Sequence, residues 1–409
     1  MPLRSNYPWR RYMNILILSY TLWPYGSGGE LATYLYATLL STGGFNVTVV
    51  VRDQSVLCKF HDYNFKVLCL PSIGFGKHSF CINKKLLEKF VKWADVVYFV
   101  SALWALIPPI RRLGKPVVVH LHSYDPVCPV GSLYNFVTTS TCSPRDRICS
   151  RCTWLYERSH GRSFMHSVGS MALNSSIGQY FTKLLGYADA LIFVSHAHRD
   201  LFVRHLRAVL DSSVPKSYVI YNPIPEVKYN EPREMNVGYF GGLSPLKGYH
   251  VVLRAWVRAF RRHRDRKLFM TKMGKLAGSG VLRRMNVFTY ERLGLSEIER
   301  LWFRIGVVVF PSIWQEPLPY AVIESLLHGR LLITSRVGGV PEIVGNAPGV
   351  KLIPPNDVDS LVDALDWALS MDPRDVVELG FKNREYILRR FDNERSVREL
   401  IKVFEKVIK

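Results

Sequence analysis

Phe310-Pro311-Ser312-Ile313-Trp314-Gln315-Glu316-Pro317-Leu318-Pro319-Tyr320-Ala321-Val322-Ile323-Glu324 joins three kinds of sequence in one short window. An apolar, β-branched run ends at Phe310, a proline-spaced loop carries Glu316, and a helix-like stretch carries Glu324. Pro317 and Pro319 keep the loop extended, because proline fixes its own φ and restricts the residue before it. The amides that follow, from Tyr320 and Ala321, fall at a helix N-terminus. Unsatisfied N–H groups and the helix dipole make such a terminus an anion site. A carboxylate one turn into that helix can accept hydrogen bonds from the vicinal hydroxyls of a ribose. Two isolated glutamates would read as a surface charge and an ordinary helix residue. The strand, stiff loop and helix start around them favour a ligand site.

Working outward, short β-branched runs alternate with amphipathic stretches along almost the whole chain. In the first half, strands are predicted at 15–19, 47–51, 96–100, 117–121, 190–194 and 218–221, with helices at 30–41 and 84–93. A second series begins at 237–240 and continues at 268–270, 307–310 and 331–334. This alternation predicts an α/β protein with two Rossmann-like, doubly wound parallel sheets, each covered by helices on both faces. Asn222-Pro223-Ile224-Pro225 reads as the linker. The domains expected are 1–222, with a cysteine-rich insert at 123–165, and 223–390. A C-terminal helix within 391–409 would pack back on the first domain. Two such domains face each other across a cleft at the carboxyl ends of their strands, where doubly wound folds bind ligands.

The chain holds 54 Lys and Arg against 33 Asp and Glu, a net charge of +21. Residues 1–200 carry 21 basic and 10 acidic side chains, so the excess is spread over the chain and is not a detachable tail. A cationic surface suits an anionic partner such as a membrane lipid, a phosphorylated substrate or nucleic acid. The basic run from Arg258 to Lys267 fits the solvated face of an amphipathic helix, and no nucleic-acid motif accompanies it. Lys84, Lys85, Lys89 and Lys92 on one predicted helix point instead to an anionic membrane surface. Arg10 and Arg11 precede the apolar residues 15–18 as in a signal peptide, yet a glycine loop follows where a cleavage site would stand. The apolar run 96–110 ends at Pro108-Pro109 and is too short to span a bilayer. The expected location is cytoplasmic, with any membrane attachment peripheral.

Three further clusters carry chemistry. Gly28-Gly29-Glu30 follows the first strand and opens a helix, so backbone can approach a phosphate or an acceptor closely. The strand 117–121 runs into His120-Leu121-His122. Cys128, Cys142, Cys149 and Cys152 include a CxxC pair and could form a tetrahedral zinc site, disulfides or free thiols. Asp357-Val358-Asp359 mimics a metal-binding acidic triplet, but helix N-terminal acids before 360–370 explain it.

The window from Glu316 to Glu324 resembles the signature of the family-4 (group 1) retaining glycosyltransferases of the GT-B fold. The resemblance extends to Ser335-Arg336-Val337-Gly338-Gly339-Val340-Pro341-Glu342-Ile343, to Gly238-Tyr239-Phe240-Gly241-Gly242-Leu243-Ser244-Pro245-Leu246-Lys247-Gly248 and to Val219-Ile220-Tyr221-Asn222-Pro223-Ile224. It implies a hexosyltransferase that takes a GDP- or UDP-hexose donor and needs no metal for catalysis. By that resemblance Glu324 binds the ribose, Glu316 the donor sugar, and Lys247 the diphosphate. His122 touches the sugar near the reacting carbon, so that Lys247 and His122 face the glutamates across the cleft. Gly28, Gly29, Gly241, Gly242, Tyr320 and Ala321 complete the donor site. The acceptor implied is a saccharide or a lipid-linked saccharide. The family commonly has an arginine where this chain has Gly242, and Arg336 and Arg304 are the replacements suggested by position. It also often has an aspartate where this chain has Ser123. Some members carry a cysteine-rich insert at the same place, which favours structural zinc. Rival readings are a sugar-nucleotide epimerase or phosphorylase, or a nucleotide-binding scaffold without activity.

Overall fold

The computed structural model describes residues 13–51, 63–69, 72–75, 78–81, 84–100, 103–146, 148–210 and 214–409. Arg10 and Arg11 lie outside them. In chain order the first half forms β1 (Asn14–Ser19), α1 (Gly28–Thr42), β2 (Asn46–Val51), β3 (Lys66–Cys69) and a hairpin of β4 (Ser72–Phe75) and β5 (His78–Cys81). There follow α2 (Lys84–Trp93), β6 (Val96–Phe99), α3 (Ile107–Arg112), β7 (Val117–Leu121) and a small hairpin of β8 (Tyr134–Asn135) and β9 (Ser140–Thr141). Then come α4 (Cys149–Ser159), α5 (Phe164–Leu184), β10 (Ala190–Phe193), α6 (His196–Leu210) and β11 (Lys216–Val219). The second half forms β12 (Asn236–Tyr239), α7 (Tyr249–Ala259), β13 (Leu268–Met270), α8 (Gly280–Arg283), β14 (Val287–Thr289), α9 (Leu295–Trp302) and β15 (Ile305–Phe310). It ends with α10 (Tyr320–Leu327), β16 (Leu331–Ser335), α11 (Val340–Val344), β17 (Val350–Ile353), α12 (Val358–Leu369), α13 (Pro373–Arg390) and α14 (Asn393–Ile408).

Two parallel sheets result, ordered β11-β10-β7-β6-β1-β2-β3 and β14-β13-β12-β15-β16-β17. The largely apolar runs of β1, β6, β7 and β15 are buried along nearly their whole length, as strands covered on both faces are. Each sheet reverses its direction of winding once, between β1 and β6 and between β12 and β15. A crevice opens at the carboxyl ends of the strands at such a point. Residues 220–235 between the sheets form no regular element. Three strands of these two sheets, and both small hairpins, differ from the expected set. β3, β14 and β17 are short or polar-edged segments of three or four residues, whose pairing comes from the neighbouring strand rather than from their own pattern.

Helices from each half cross the cleft. Val397, Leu400, Val403 and Phe404 of α14 join the core of the first sheet. Leu31 and Ala32 of α1 join the core of the second. The Glu342 carboxylate accepts the amides of His196 and Ala197 at 2.9 and 2.8 Å, capping α6 from the opposite half. Of the basic run expected on one helix face only Arg258 lies on α7, which ends at Ala259, and the rest follows in a turn. Arg258 pairs with Asp359, and Arg262 and His263 with Asp366, on α12. Asp357 accepts the Ser360 amide at 2.9 Å and caps α12. Both acids of the false metal triplet therefore have structural work. Among the described residues no helix is long and apolar enough to cross a membrane.

Candidate active site

Elements of both sheets meet at the cleft. A methyl group on Gly28 would stand 3.0 Å from the Tyr320 ring, and one on Gly29 3.5 Å from the His122 β-carbon. The start of α1, the end of β7 and the start of α10 thus converge. Tyr320 donates its hydroxyl to Pro223 O at 2.7 Å and ties α10 to the linker. No side chain caps α10, whose first residue lies against Gly28.

Lys247 closes a turn after β12. Gly248 follows at φ +75°, and a β-carbon there would lie 2.0 Å from Pro311 O, so only glycine fits. This packing brings Lys247 to the loop after β15. Its Nζ donates to both Glu316 oxygens, at 2.7 and 3.0 Å, and Ser312 Oγ donates to Oε1 at 2.6 Å. Glu316 is 3% exposed, a depth at which an unpaired carboxylate would be strongly unfavourable. Gly339 N donates to Glu316 O at 2.8 Å and Gly338 N to Gln315 Oε1 at 2.7 Å, so the glycine-rich turn braces this loop. Lys247 therefore sits beside Glu316 in the same half, not across the cleft from it as expected. A lysine two short turns from its own strand cannot reach further.

Glu324 lies on α10, largely buried, and its carboxyl makes no hydrogen bond or ion pair among the described residues. Burial pushes its acid up to about 7, opposed only by the positive field of Lys272. Such a group is poised to take a hydroxyl ligand. His122 does come from the opposite half. Its Nδ1 accepts from the Asn222 amide at 3.4 Å, while Nε2 is buried without a partner. Burial lowers this imidazole to about 3, so it is neutral, and a ring accepting at Nδ1 carries its proton on Nε2. Ser123 leaves the ring alone and gives its carbonyl to His198 at 3.3 Å. Asn222, rather than a residue at 123, orients His122. Replacing His122 by Ala should lower kcat/KM by about 10- to 100-fold through loss of that one donor. The pH profile between 5 and 9 should keep its shape, because the ring titrates near 3. A limb that disappears with the histidine would refute this.

Tyr124 OH, Trp314 Nε1 and Asn222 Oδ1 are further buried polar atoms without partners, and Tyr124 lies within the field of Glu316. Sequence reasoning missed Asn222, Ser312, Tyr124 and Trp314 as site residues. Each stood inside or beside a motif read for chemistry, and no local pattern says which face they turn to the cleft. Gly241 and Gly242 shape the turn before Lys247, where Tyr239 OH donates to Gly242 O at 2.9 Å. Arg304 precedes β15, at the opposite end of the sheet, where it pairs with Glu234 at 3.1 Å and covers the Phe269 ring. It cannot serve the cleft.

The zinc expectation is corrected. Cys128, Cys142, Cys149 and Cys152 line one small cavity and are free thiols. No set of three or more Cys, His, Asp or Glu stands at metal-holding spacing among the described residues. Cys142 and Cys152 donate to the carbonyls of Ser143 and Tyr134, both at 3.6 Å. Burial pushes these thiols up to about 12 and about 11.

The family description "Glycosyltransferase Family 4" matches residues 26–227, and "Glycosyl transferases group 1" matches residues 234–371. The chain belongs to the group 1 glycosyltransferases of the GT-B fold. It is an enzyme of the transferase class. An uncharacterized 42.6 kDa protein in the cps region of Klebsiella pneumoniae is 24% identical to this transferase, over 85% of this chain and 92% of that protein. MMP alpha-(1->4)-mannosyltransferase of Mycolicibacterium hassiacum is 29% identical over 40% of this chain and 41% of its own length. Among solved structures, Anabaena HepE in complex with UDP-glucose superposes with a TM-score of 0.66 at 16% identity, covering 96% of this chain and all of the other. Sucrose-phosphate synthase of Thermosynechococcus elongatus gives 0.63 at 17% identity, covering 96% of this chain and 98% of the other. At those identities the likeness concerns the fold of the transferase.

Proposed function

We propose that this transferase moves a hexose from a nucleoside-diphosphate sugar to a saccharide or lipid-linked acceptor, with retention at the anomeric carbon and without a catalytic metal. The observation that carries the reading is the pair of glutamates at the second switch point, Glu316 buried and Glu324 half-buried. Glu316 is held by Lys247 and Ser312, and Glu324 has no partner one turn into an uncapped helix. Glu324 takes the ribose hydroxyls, and the α10 amides at Tyr320 and Ala321 take phosphate oxygens. Gly28 and Gly29 leave room at the first-domain wall. Glu316 and the Nε2–H of His122 hold the sugar from opposite sides. The bond from the anomeric carbon to the diphosphate oxygen breaks, and its electron pair leaves with the diphosphate. The acceptor oxygen bonds to the same face and passes its proton to the departing phosphate oxygen. Helix amides and lysine side chains stabilise that charge, the work that a metal does elsewhere. Residues 1–222 form the acceptor side, 223–390 the donor side, and 391–409 the returning helix.

Names of related proteins support the donor class, since HepE was solved with UDP-glucose and a relative is named a mannosyltransferase. The acceptor side rests on α2, where Lys85, Lys89 and Lys92 are exposed beside Leu86 and Trp93. Such a helix suits the anionic inner face of a membrane and a lipid-linked acceptor. The test is a screen of UDP-, GDP- and ADP-hexoses with membrane lipid extract as acceptor, with and without EDTA. One nucleoside diphosphate should be released at a rate unchanged by EDTA, and the product should be an α-configured glycoside when the donor is α. Release of none, or loss of activity in EDTA, would overturn the donor or the metal-free reading respectively. Vesicle flotation with no preference for anionic lipid would remove the membrane surface.

A further inference from the structure

A departing nucleoside diphosphate carries more negative charge than one ammonium offsets, and here Lys247 is already neutralised by Glu316 at 2.7 Å. Charge alone calls for a second cation at the same strand ends. Gly242 has no side chain to offer, and Arg304 stands at the wrong end of the sheet. Lys272 follows β13, the strand beside β12, at the carboxyl edge of the sheet.

Its backbone is unusual. Lys272 has φ +58°, a left-handed conformation that a lysine rarely adopts. The chain is pinned there from both sides. Thr271 N donates to Tyr239 O at 3.1 Å, Met273 N to Tyr290 O at 2.9 Å, and Leu243 N to Lys272 O at 3.1 Å. Met273 on one side is fully buried, whereas the Lys272 side chain is exposed and makes no ion pair among the described residues. Core packing therefore does not explain why a lysine holds this position. A β-carbon built on Gly242 would meet the Lys272 β-carbon and carbonyl oxygen, each at 3.2 Å. The two positions compete for one space. Strain kept at a position without a packing role points to function.

We infer that the Lys272 ammonium binds the donor diphosphate, filling the place that a side chain at 242 would otherwise take. This rests on the nucleotide-sugar reading above. Lys272 forms no covalent bond; it offsets charge on the leaving oxygens. Glu324 lies within reach of the same charge, so ribose and diphosphate would be gripped from adjoining points.

Calorimetric titration of the full chain with UDP and GDP, each beside its own nucleoside, tests this. The parent should bind one diphosphate. Lys272→Met should weaken that diphosphate by ~10- to 100-fold and leave the nucleoside unchanged, while Lys272→Arg keeps most of the affinity. Lys272→Gly should melt at or above the parent temperature, because glycine relieves the left-handed φ, and still bind the diphosphate weakly. Parent-like affinity in Lys272→Met would overturn the assignment, as would finding the loss in Arg336→Met instead. A parent that binds neither diphosphate and releases none from sugar nucleotides would overturn the donor reading itself. An active parent with an unaffected Lys272→Met defeats only Lys272.

Discussion

Lys247→Ala should be the most damaging single change in the cleft, destabilising the protein by ~3–5 kcal/mol and lowering its melting temperature by roughly 10 °C. The cause is the carboxylate left behind. Glu316 is 3% exposed, and Lys247 supplies two of its three side-chain hydrogen bonds, with Ser312 the third. Removing the ammonium leaves a buried charge that water cannot reach. Adding Glu316→Gln to the same chain should recover much of the loss, since a neutral amide can keep the Ser312 contact. Calorimetric melts of the two single variants and the double variant check the coupling. Independent, additive shifts would show that the pair is not the structural unit described. Activity should not recover with stability. On the roles proposed for Lys247 and Glu316 the double variant still lacks a cation at the diphosphate and a carboxylate at the sugar, and kcat/KM should stay ~10²–10³-fold below the parent.

Glu324→Gln should act in the opposite direction on stability while abolishing function. The Glu324 acid stands at about 7 in the folded chain, against 4.5 for a solvated glutamate. Between those values the folded protein binds a proton that the unfolded chain has released. Stability therefore falls as pH rises through this window and levels off above 7. At pH 8 the ionised carboxylate costs roughly 3 kcal/mol relative to an exposed one. The amide variant escapes that cost, so it should melt above the parent at pH 8 and match it near pH 5. Nucleotide-sugar turnover should fall by ~10²-fold or more, because the two charge-assisted hydrogen bonds proposed to the ribose would become neutral ones. Melting curves at the two pH values, with steady-state kinetics, read both effects. A variant that turned over normally would remove Glu324 from the ribose.

The two results separate the glutamates that look alike in sequence. One is a satisfied member of an ion pair, and its loss is structural as well as chemical. The other is held without a partner, at a standing cost that a bound hydroxyl would repay.

Much of this was legible before any coordinates. Runs of β-branched residues marked ten strands, because a strand buried on both faces must be apolar along its length. The 310–324 window showed a strand end, a stiff loop and a helix start, all of which are local properties. It placed Glu316, Glu324, Tyr320 and Ala321 at one switch point through the carboxyl-end rule. In the first half Gly28-Gly29 was readable as a glycine loop opening a helix, and His122 only through the resemblance.

Tertiary structure decided the contacts between residues far apart in the chain. Lys247 meets Glu316 across 69 positions, and Asn222 orients His122 across 100. No local pattern encodes either distance. The four cysteines line one cavity, a convergence across 25 residues that their spacing alone does not encode. Arg304 and Lys272 are both cations beside strands of the second sheet. Which of them faces the cleft depends on strand direction and on which end each one occupies. By itself the sequence determined the architecture and the position of the site, since both follow from periodicity and strand order. Only the packed molecule determined which charge neutralises which, because Coulomb interactions depend on separations and burial that the chain acquires on folding.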